Sequence, residues 1–200
     1  MRSLAFALAL LSTAALAQPF TPQTMRIAGT IERVDGDEIA IHAIEGGGTN
    51  TVHLTKDAAV FGVTRATATD ITPGAFIAVG AMPQPDGSQR AIRVTVFAES
   101  QRGLGEGFRP WDRAPGGTMT NATVAETVKS VEGHVVTVKY KDGEKRIVIP
   151  PETPILAYSV GERSELKPGA AVAITRAKRK LDGTWEADRI NVGRGGVIPD

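Results

Sequence analysis

Short runs of alternating apolar and polar residues, separated by turn-forming residues, make up most of the chain after its first 25 residues. Residues 26–34 and 38–44 alternate at the two-residue period of a β-strand. Asp35-Gly36-Asp37 between them has the composition of a tight hairpin turn. One or two helical turns are expected near residues 67–71 and 162–166, and no longer segment after the N-terminus has helical periodicity. The pattern therefore predicts an all-β protein.

The predicted strands fall into two groups with the same plan. Each group has five short antiparallel strands and a long connection before the fourth, an arrangement typical of a small closed barrel of the OB type. Only one short extended piece interrupts each connection. The predicted strands are 26–34, 38–44, 51–55, 75–82 and 91–97, then 122–131, 135–140, 145–149, 170–176 and 185–192; the extended pieces are 60–61 and 155–156.

An internal repeat accounts for these two groups. Residues 86–96 reappear as residues 182–192, and Ile71-Thr72-Pro73-Gly74-Ala75 reappears as Leu166-Lys167-Pro168-Gly169-Ala170. Such self-similarity indicates a duplicated structural unit. The repeat predicts two tandem OB-like barrels of five to six strands, each enclosing its own core. The predicted boundaries are 24–97 for the first barrel, 98–120 for a linker, 121–194 for the second barrel and 195–200 for a tail.

The repeated motifs resemble a known kind of protein. Val-x-Gly follows the first strand, Leu/Ile-x-Pro-Gly precedes the fourth, and Asp-Gly-x-x-x-Ala-x-x-Ile/Val precedes the fifth. Together they resemble an uncharacterised bacterial exported family built from OB-like barrel repeats. The resemblance covers nearly all of the chain outside the linker. It implies the fold, and it supplies no catalytic residues, because the shared residues belong to turns and cores.

The N-terminus has the three parts of a secretory signal. Arg2 is a positive n-region, residues 4–11 are apolar, and Ala15-Leu16-Ala17 matches the small-x-small cleavage pattern. We expect residues 1–17 to be removed after Ala17 and the mature protein to be periplasmic or secreted. No later stretch is long and apolar enough to span a bilayer as a helix, so an integral membrane protein is not expected.

Composition narrows the possible functions further. The absence of cysteine excludes disulfides and thiolate metal sites. Loss of Arg2 leaves 22 of the 23 basic side chains against 22 acidic ones. This balance lacks the basic excess of a protein that binds a phosphate backbone, so we do not expect nucleic acid as a partner.

Two histidines give the sequence its one candidate metal site. If Ile41 faces Leu54 in the core, His42 lies directly opposite His53 on the outer face, with Cβ atoms about 5 Å apart. Such a pair could share one metal ion, although third and fourth ligands are not evident. The alternative is two solvated histidines on a strand face. Apart from this possible ion, no cofactor is expected.

The linker carries the main candidate for a contact surface. Phe108, Arg109, Trp111 and Arg113 stand in a Gly/Pro-rich segment, whereas free linkers lack large aromatic residues. The segment is therefore expected to be ordered against one or both barrels. These residue types are favoured at binding hot spots, so the segment is either a recognition loop or a structural plug between the barrels.

A basic hairpin before the last strand is the secondary candidate. It contains Arg176, Lys178, Arg179 and Lys180, and the corresponding loop of OB folds often lines the ligand face. These side chains either contact an anionic surface or only solvate a hairpin tip.

No arrangement of nucleophile, histidine and acid is evident in the sequence. We therefore expect a non-enzymatic binding or adaptor protein of the cell envelope, with a protein, glycan or lipid headgroup as partner. The alternative is a periplasmic metal-binding protein that uses His42 and His53.

Overall fold

The structure, a computed structural model, describes residues 23–130 and 133–199. The predicted signal peptide and its cleavage site lie outside these residues. Within them the chain is all-β, as the alternating pattern predicts. The strands are β1 (Thr24–Asp35), β2 (Glu38–Ala43), β3 (Thr49–Ala66), β4 (Phe76–Pro83), β5 (Gln89–Val96), β6 (Gly107–Pro110), β7 (Thr118–Ser130), β8 (Gly133–Tyr140), β9 (Gly143–Ile149), β10 (Ile155–Val160), β11 (Ala171–Arg179) and β12 (Trp185–Gly193); short 3₁₀ helices span Ala68–Asp70, Glu99–Gln101 and Arg163–Glu165.

Five of the strands close into a barrel, which we call the first ring. β1 pairs antiparallel with β2 and with β11, β2 pairs with β3, and β11 pairs with β12. A parallel pairing of β12 with β3 closes the circuit. The side chains that alternate inward form one apolar core: Ile27, Ile31, Ile39, Ile41, Val52, Leu54, Val60, Leu166, Val172, Ile174, Ala177, Trp185, Ala187, Ile190 and Val192.

The remaining long strands form a second closed circuit, which we call the second ring. β7 pairs antiparallel with β4 and β8, β4 pairs with β5, and β8 pairs with β9. A short parallel pairing of β5 with β9 completes it. Its core is distinct from that of the first ring: Ile71, Ile77, Val79, Ala81, Ala91, Val94, Ala122, Val124, Val136, Val138, Ile147, Ile149 and Ile155.

The two rings do not follow the division of the chain that the repeat predicts. The first ring takes β1, β2 and β3 from the N-terminal half and β11 and β12 from the C-terminal half; the second ring takes the complementary strands. Residues 24–97 and 121–194 thus exchange their last two strands and do not each enclose a core. The physical reason is that β4 and β5 have the same alternating pattern as the equivalent strands β11 and β12. Either pair of strands can therefore pair with the same strand edges.

A central antiparallel pair joins the rings. β10 lies along the second half of β3, and Tyr158 is paired with Val63 near its middle. β3 continues without a break to Ala66, so the first part of the long connection that the sequence predicts before the fourth strand is itself a strand, over residues 57–66. The 3₁₀ helices at Ala68–Asp70 and Arg163–Glu165 lie where the sequence predicts helical turns. No helix in the described ranges is long and apolar enough to cross a membrane.

Candidate functional site

The segment between the two halves is ordered, as its aromatic residues predict. β6 pairs antiparallel with β7, which places Phe108 opposite Thr120 and Arg109 opposite Met119. Asn121 Nδ2 donates a hydrogen bond to the carbonyl of Leu104 at 2.8 Å. The segment is therefore fixed to the second ring along much of its length.

Phe108 is the exposed aromatic residue of this segment. The residue is 40% exposed, and the Lys145 ammonium lies 4.5 Å from its ring centroid. The side chain of Arg109 is exposed but bonds locally, because its Nη1 donates to the carbonyl of Gly105 at 2.8 Å. Phe108 on β6 and Lys145 on β9 thus place an aromatic ring beside a cation, while Arg109, the next residue of β6, projects from the opposite face of the strand.

Trp111 packs against the surface of β4, unlike Phe108. Its indole lies so close to Gly80 that a Cβ built there would be 2.6 Å from two ring carbons. Its backbone N–H donates to the carbonyl of Gly117 at 2.9 Å, which closes a turn over the strand edge. Trp111 therefore covers the backbone of β4, and Gly80 provides the space for it.

Arg113 belongs to a group of positive charges around Tyr158. Burial is the main cause of a lowered pKa at Arg93, and the charge of Arg113 lowers it further. Burial raises the pKa of Tyr158, while the charges of Arg93, Arg26 and Arg113 oppose that rise. Arg113 is therefore within electrostatic reach of Arg93 on β5 and Tyr158 on β10.

The histidine pair does not exist in the observed register. His42 is opposite Thr49, and His53 is opposite Glu38. The expected register is wrong because the loop after β2 turns earlier: the N–H of Ala43 donates to the carbonyl of Gly48. The two histidines are therefore separated by about four residues along β3, roughly 13 Å.

Each histidine faces a carboxylate instead of the other histidine. His42 Nδ1 lies 3.4 Å from Glu32 Oε1, and His53 Nε2 lies 3.7 Å from Glu38 Oε2. In the part of the chain that the structure describes, no group of three or more His, Asp or Glu side chains could hold a metal ion.

The basic hairpin presents its charges in different ways. Arg176 and Lys178 are exposed on either side of buried Ala177. The Arg179 guanidinium instead lies 5.0 Å from the ring centroid of Trp185, a core residue of the first ring. Lys180 is half-buried, and its N–H donates to the carbonyl of Thr184 at 2.9 Å within the turn. Arg176, Lys178 and Arg179 are therefore all exposed, and among them Arg179 also contacts an aromatic ring.

A cavity at one end of the second ring was missed by the sequence reasoning. Its volume is about 410 Å³, and it is lined by Ala66, Thr67, Ala68, Lys129, Ser130, Gly133, His134, Ile149, Pro150, Pro151, Thr153 and Ile155. These residues come from the ends of several strands that are distant in sequence. The inward alternation of β8 could have identified His134, because it continues the series of Val138 and Val136.

The chain matches no protein-family model, no curated protein and no solved structure.

Proposed function

We propose that this chain is an exported, non-enzymatic binding protein of the bacterial cell envelope, and that Phe108 is the centre of its contact surface. The proposal depends on one observation above all. Phe108, a large aromatic residue, is 40% exposed on a strand whose backbone is paired to β7. Aromatic and arginine side chains on a rigid scaffold are the residue types that contribute most to protein interfaces.

The side chains around Phe108 fit a protein partner, because exposed aromatic and arginine side chains are common contacts at protein interfaces. Lys145 lies over the Phe108 ring, and the neighbouring Arg109 is exposed. A cation above an aromatic face leaves both an apolar contact and a hydrogen-bond donor for the partner. Trp111, which packs on Gly80 of β4, anchors the segment that carries Phe108 to the second ring.

We further propose that the fold is a tandem duplication of an OB-like unit with exchanged strands. Both rings have the same order of pairing, and both close with a parallel pair. The last hairpin of each half contains the same turn. Asp86 Oδ1 accepts from the N–H of Ser88 at 3.0 Å, and Asp182 Oδ1 accepts from the N–H of Thr184 at 2.9 Å. Loops of OB-type barrels commonly serve as binding surfaces, which agrees with a binding function.

A pull-down from envelope extract tests the contact surface. Phe108→Ser should abolish the capture of a protein that the wild type recovers, while Leu181→Ser should leave it unchanged. Leu181 is a matched control because it is 85% exposed and lies on the first ring's hairpin. Equal recovery by both variants would contradict the proposal. Binding of the wild type to lipid vesicles or purified glycan, with no protein captured, would assign the surface to those partners instead.

A further inference from the structure

One end of the second ring is open, and its inward-facing side chains form a row across three strands. Lys129 on β7 is paired with His134 on β8, and His134 is paired with Ile149 on β9. Directly opposed residues project from the same face of a sheet. Ile149 belongs to the core, so His134 and Lys129 continue the interior face toward the mouth of the cavity.

The corresponding end of the first ring is closed by an arginine. Asp37 lies beside Leu54, whose N–H donates to the Asp37 carbonyl. Asp37 and Leu54 thus correspond to His134 and Ile149, which are paired in the second ring. Arg163 forms an ion pair with the Asp37 carboxylate and donates to the carbonyls of Thr55 and Lys56. Arg163 is the first residue of the 3₁₀ helix Arg163–Glu165, and its side chain covers the end of the barrel. We call the Arg163–Asp37 pair the arginine plug.

The second ring has neither an arginine nor an aspartate at the places of the arginine plug. Ala68 begins the 3₁₀ helix Ala68–Asp70, at the place that Arg163 occupies in the other ring. His134 stands where Asp37 stands. Replacement of a long arginine by alanine leaves the cavity of about 410 Å³. Its size is within the range of sites that bind small molecules.

The lining of this cavity has the chemistry of an anion site with an apolar wall. Among the described residues that line it, there is no carboxylate, while Lys129 provides a positive charge and His134 a ring N–H. Thr153 is 8% exposed, and its hydroxyl has no hydrogen-bond partner among the described residues. The proline and aliphatic residues that line the cavity are Ala66, Ala68, Ile149, Pro150, Pro151 and Ile155.

We propose that the open end of the second ring binds a small organic anion, with Lys129 and His134 at the anionic group and the proline and aliphatic wall against its apolar body. This site is separate from the Phe108 surface and does not depend on it. A carboxylate and a phosphate monoester share the required chemistry.

NMR titration of the purified protein tests the proposal. Benzoate and phenyl phosphate are the two anionic probes, and benzamide is the neutral counterpart of benzoate. We expect at least one anion to shift the His134 ring resonances with saturation, and benzamide to bind at least tenfold more weakly. The anion that binds more tightly shows whether the site prefers a carboxylate or a phosphate monoester. Resonances of His42, on the first ring, are the internal control. No saturable shift of His134 with either anion, or equal binding of benzamide, would overturn the proposal.

Three variants separate binding in the cavity from nonspecific charge effects. Ala68→Arg/His134→Asp rebuilds the plug of the first ring and should abolish binding, measured by calorimetry with the anion that shifts His134. Lys129→Met should weaken it at least tenfold, whereas Lys139→Met, on the exposed side of β8, should not change it. Circular dichroism verifies that each variant is folded. Undiminished binding by the folded plugged variant, or equal losses in the two lysine variants, would also overturn the proposal.

Discussion

The contact between Trp111 and Gly80 predicts a strong energetic coupling between two positions distant in sequence. The Trp111 side chain is only partly exposed, so well over half of a surface of about 200 Å² is removed from water. At about 25 cal/mol per Å², Trp111→Ala should cost about 3 kcal/mol of unfolding free energy. This is an upper value, because the denatured chain already buries part of the ring.

Gly80→Ala should have a similar effect for a different reason. The added Cβ would be 2.6 Å from two carbons of the indole, so the ring must leave its site. In the Trp111→Ala background the same substitution meets no ring, and alanine is intrinsically better than glycine in a strand. We therefore expect Gly80→Ala to cost about 2 kcal/mol in the wild type and almost nothing in the Trp111→Ala variant.

Urea denaturation of the four proteins in this cycle measures the coupling. Trp185, in the core of the first ring, remains as a fluorescent reporter in every variant, and circular dichroism follows the second ring. A coupling of about 2 kcal/mol supports the packing of Trp111 on β4. Additive costs, with Gly80→Ala equally harmful in both backgrounds, would refute it.

Two further predictions concern ion pairs. Arg163→Ala should lower the free energy of unfolding by about 2 kcal/mol in urea titrations, because charge-assisted bonds to Asp37 and two carbonyls are lost. The exposed Arg176→Ala should change it by less than about 0.5 kcal/mol, and equal effects would contradict the plug. Glu165 accepts two hydrogen bonds from Arg194, which lower its pKa from 4.5 to about 2. Because the folded-state pKa is lowered, this pair stabilises the fold above pH 4.5 and its contribution disappears as the pH falls toward 2. Glu165→Gln should thus cost about 1 kcal/mol at neutral pH and almost nothing near pH 2, and a pH-independent cost would be inconsistent with this pairing.

The secondary structure could be predicted because local patterns determine it. Alternation at period two predicts the strands, and Asp-Gly turns predict the hairpins, as in β4 and β5 around Gly87. The aromatic residues of the linker predict its order, since Trp111 and Phe108 need a surface to contact.

The arrangement of the strands could not be predicted in the same way. Val172 and Val79 both alternate inward in equivalent strands, so the pattern does not determine which half they complete. The register of His42 depends on how tightly three consecutive glycines turn, and all three have positive φ. The cavity depends on two differences, alanine at residue 68 against arginine at 163 and histidine at 134 against aspartate at 37, and these have meaning only once both ring ends are known.

Disulfide trapping is the most direct test of the strand exchange, because the chain contains no cysteine. Thr24 and Lys178 are paired across β1 and β11, and both are exposed. Pro83 has the corresponding place in β4 and would be near Thr24 if each half closed on itself. We expect monomeric Thr24→Cys/Lys178→Cys protein to form the intramolecular disulfide, identified by mass spectrometry of its peptides, and Thr24→Cys/Pro83→Cys protein to remain reduced. Efficient disulfide formation in the Thr24→Cys/Pro83→Cys protein, with none in the Thr24→Cys/Lys178→Cys protein, would contradict the exchanged fold.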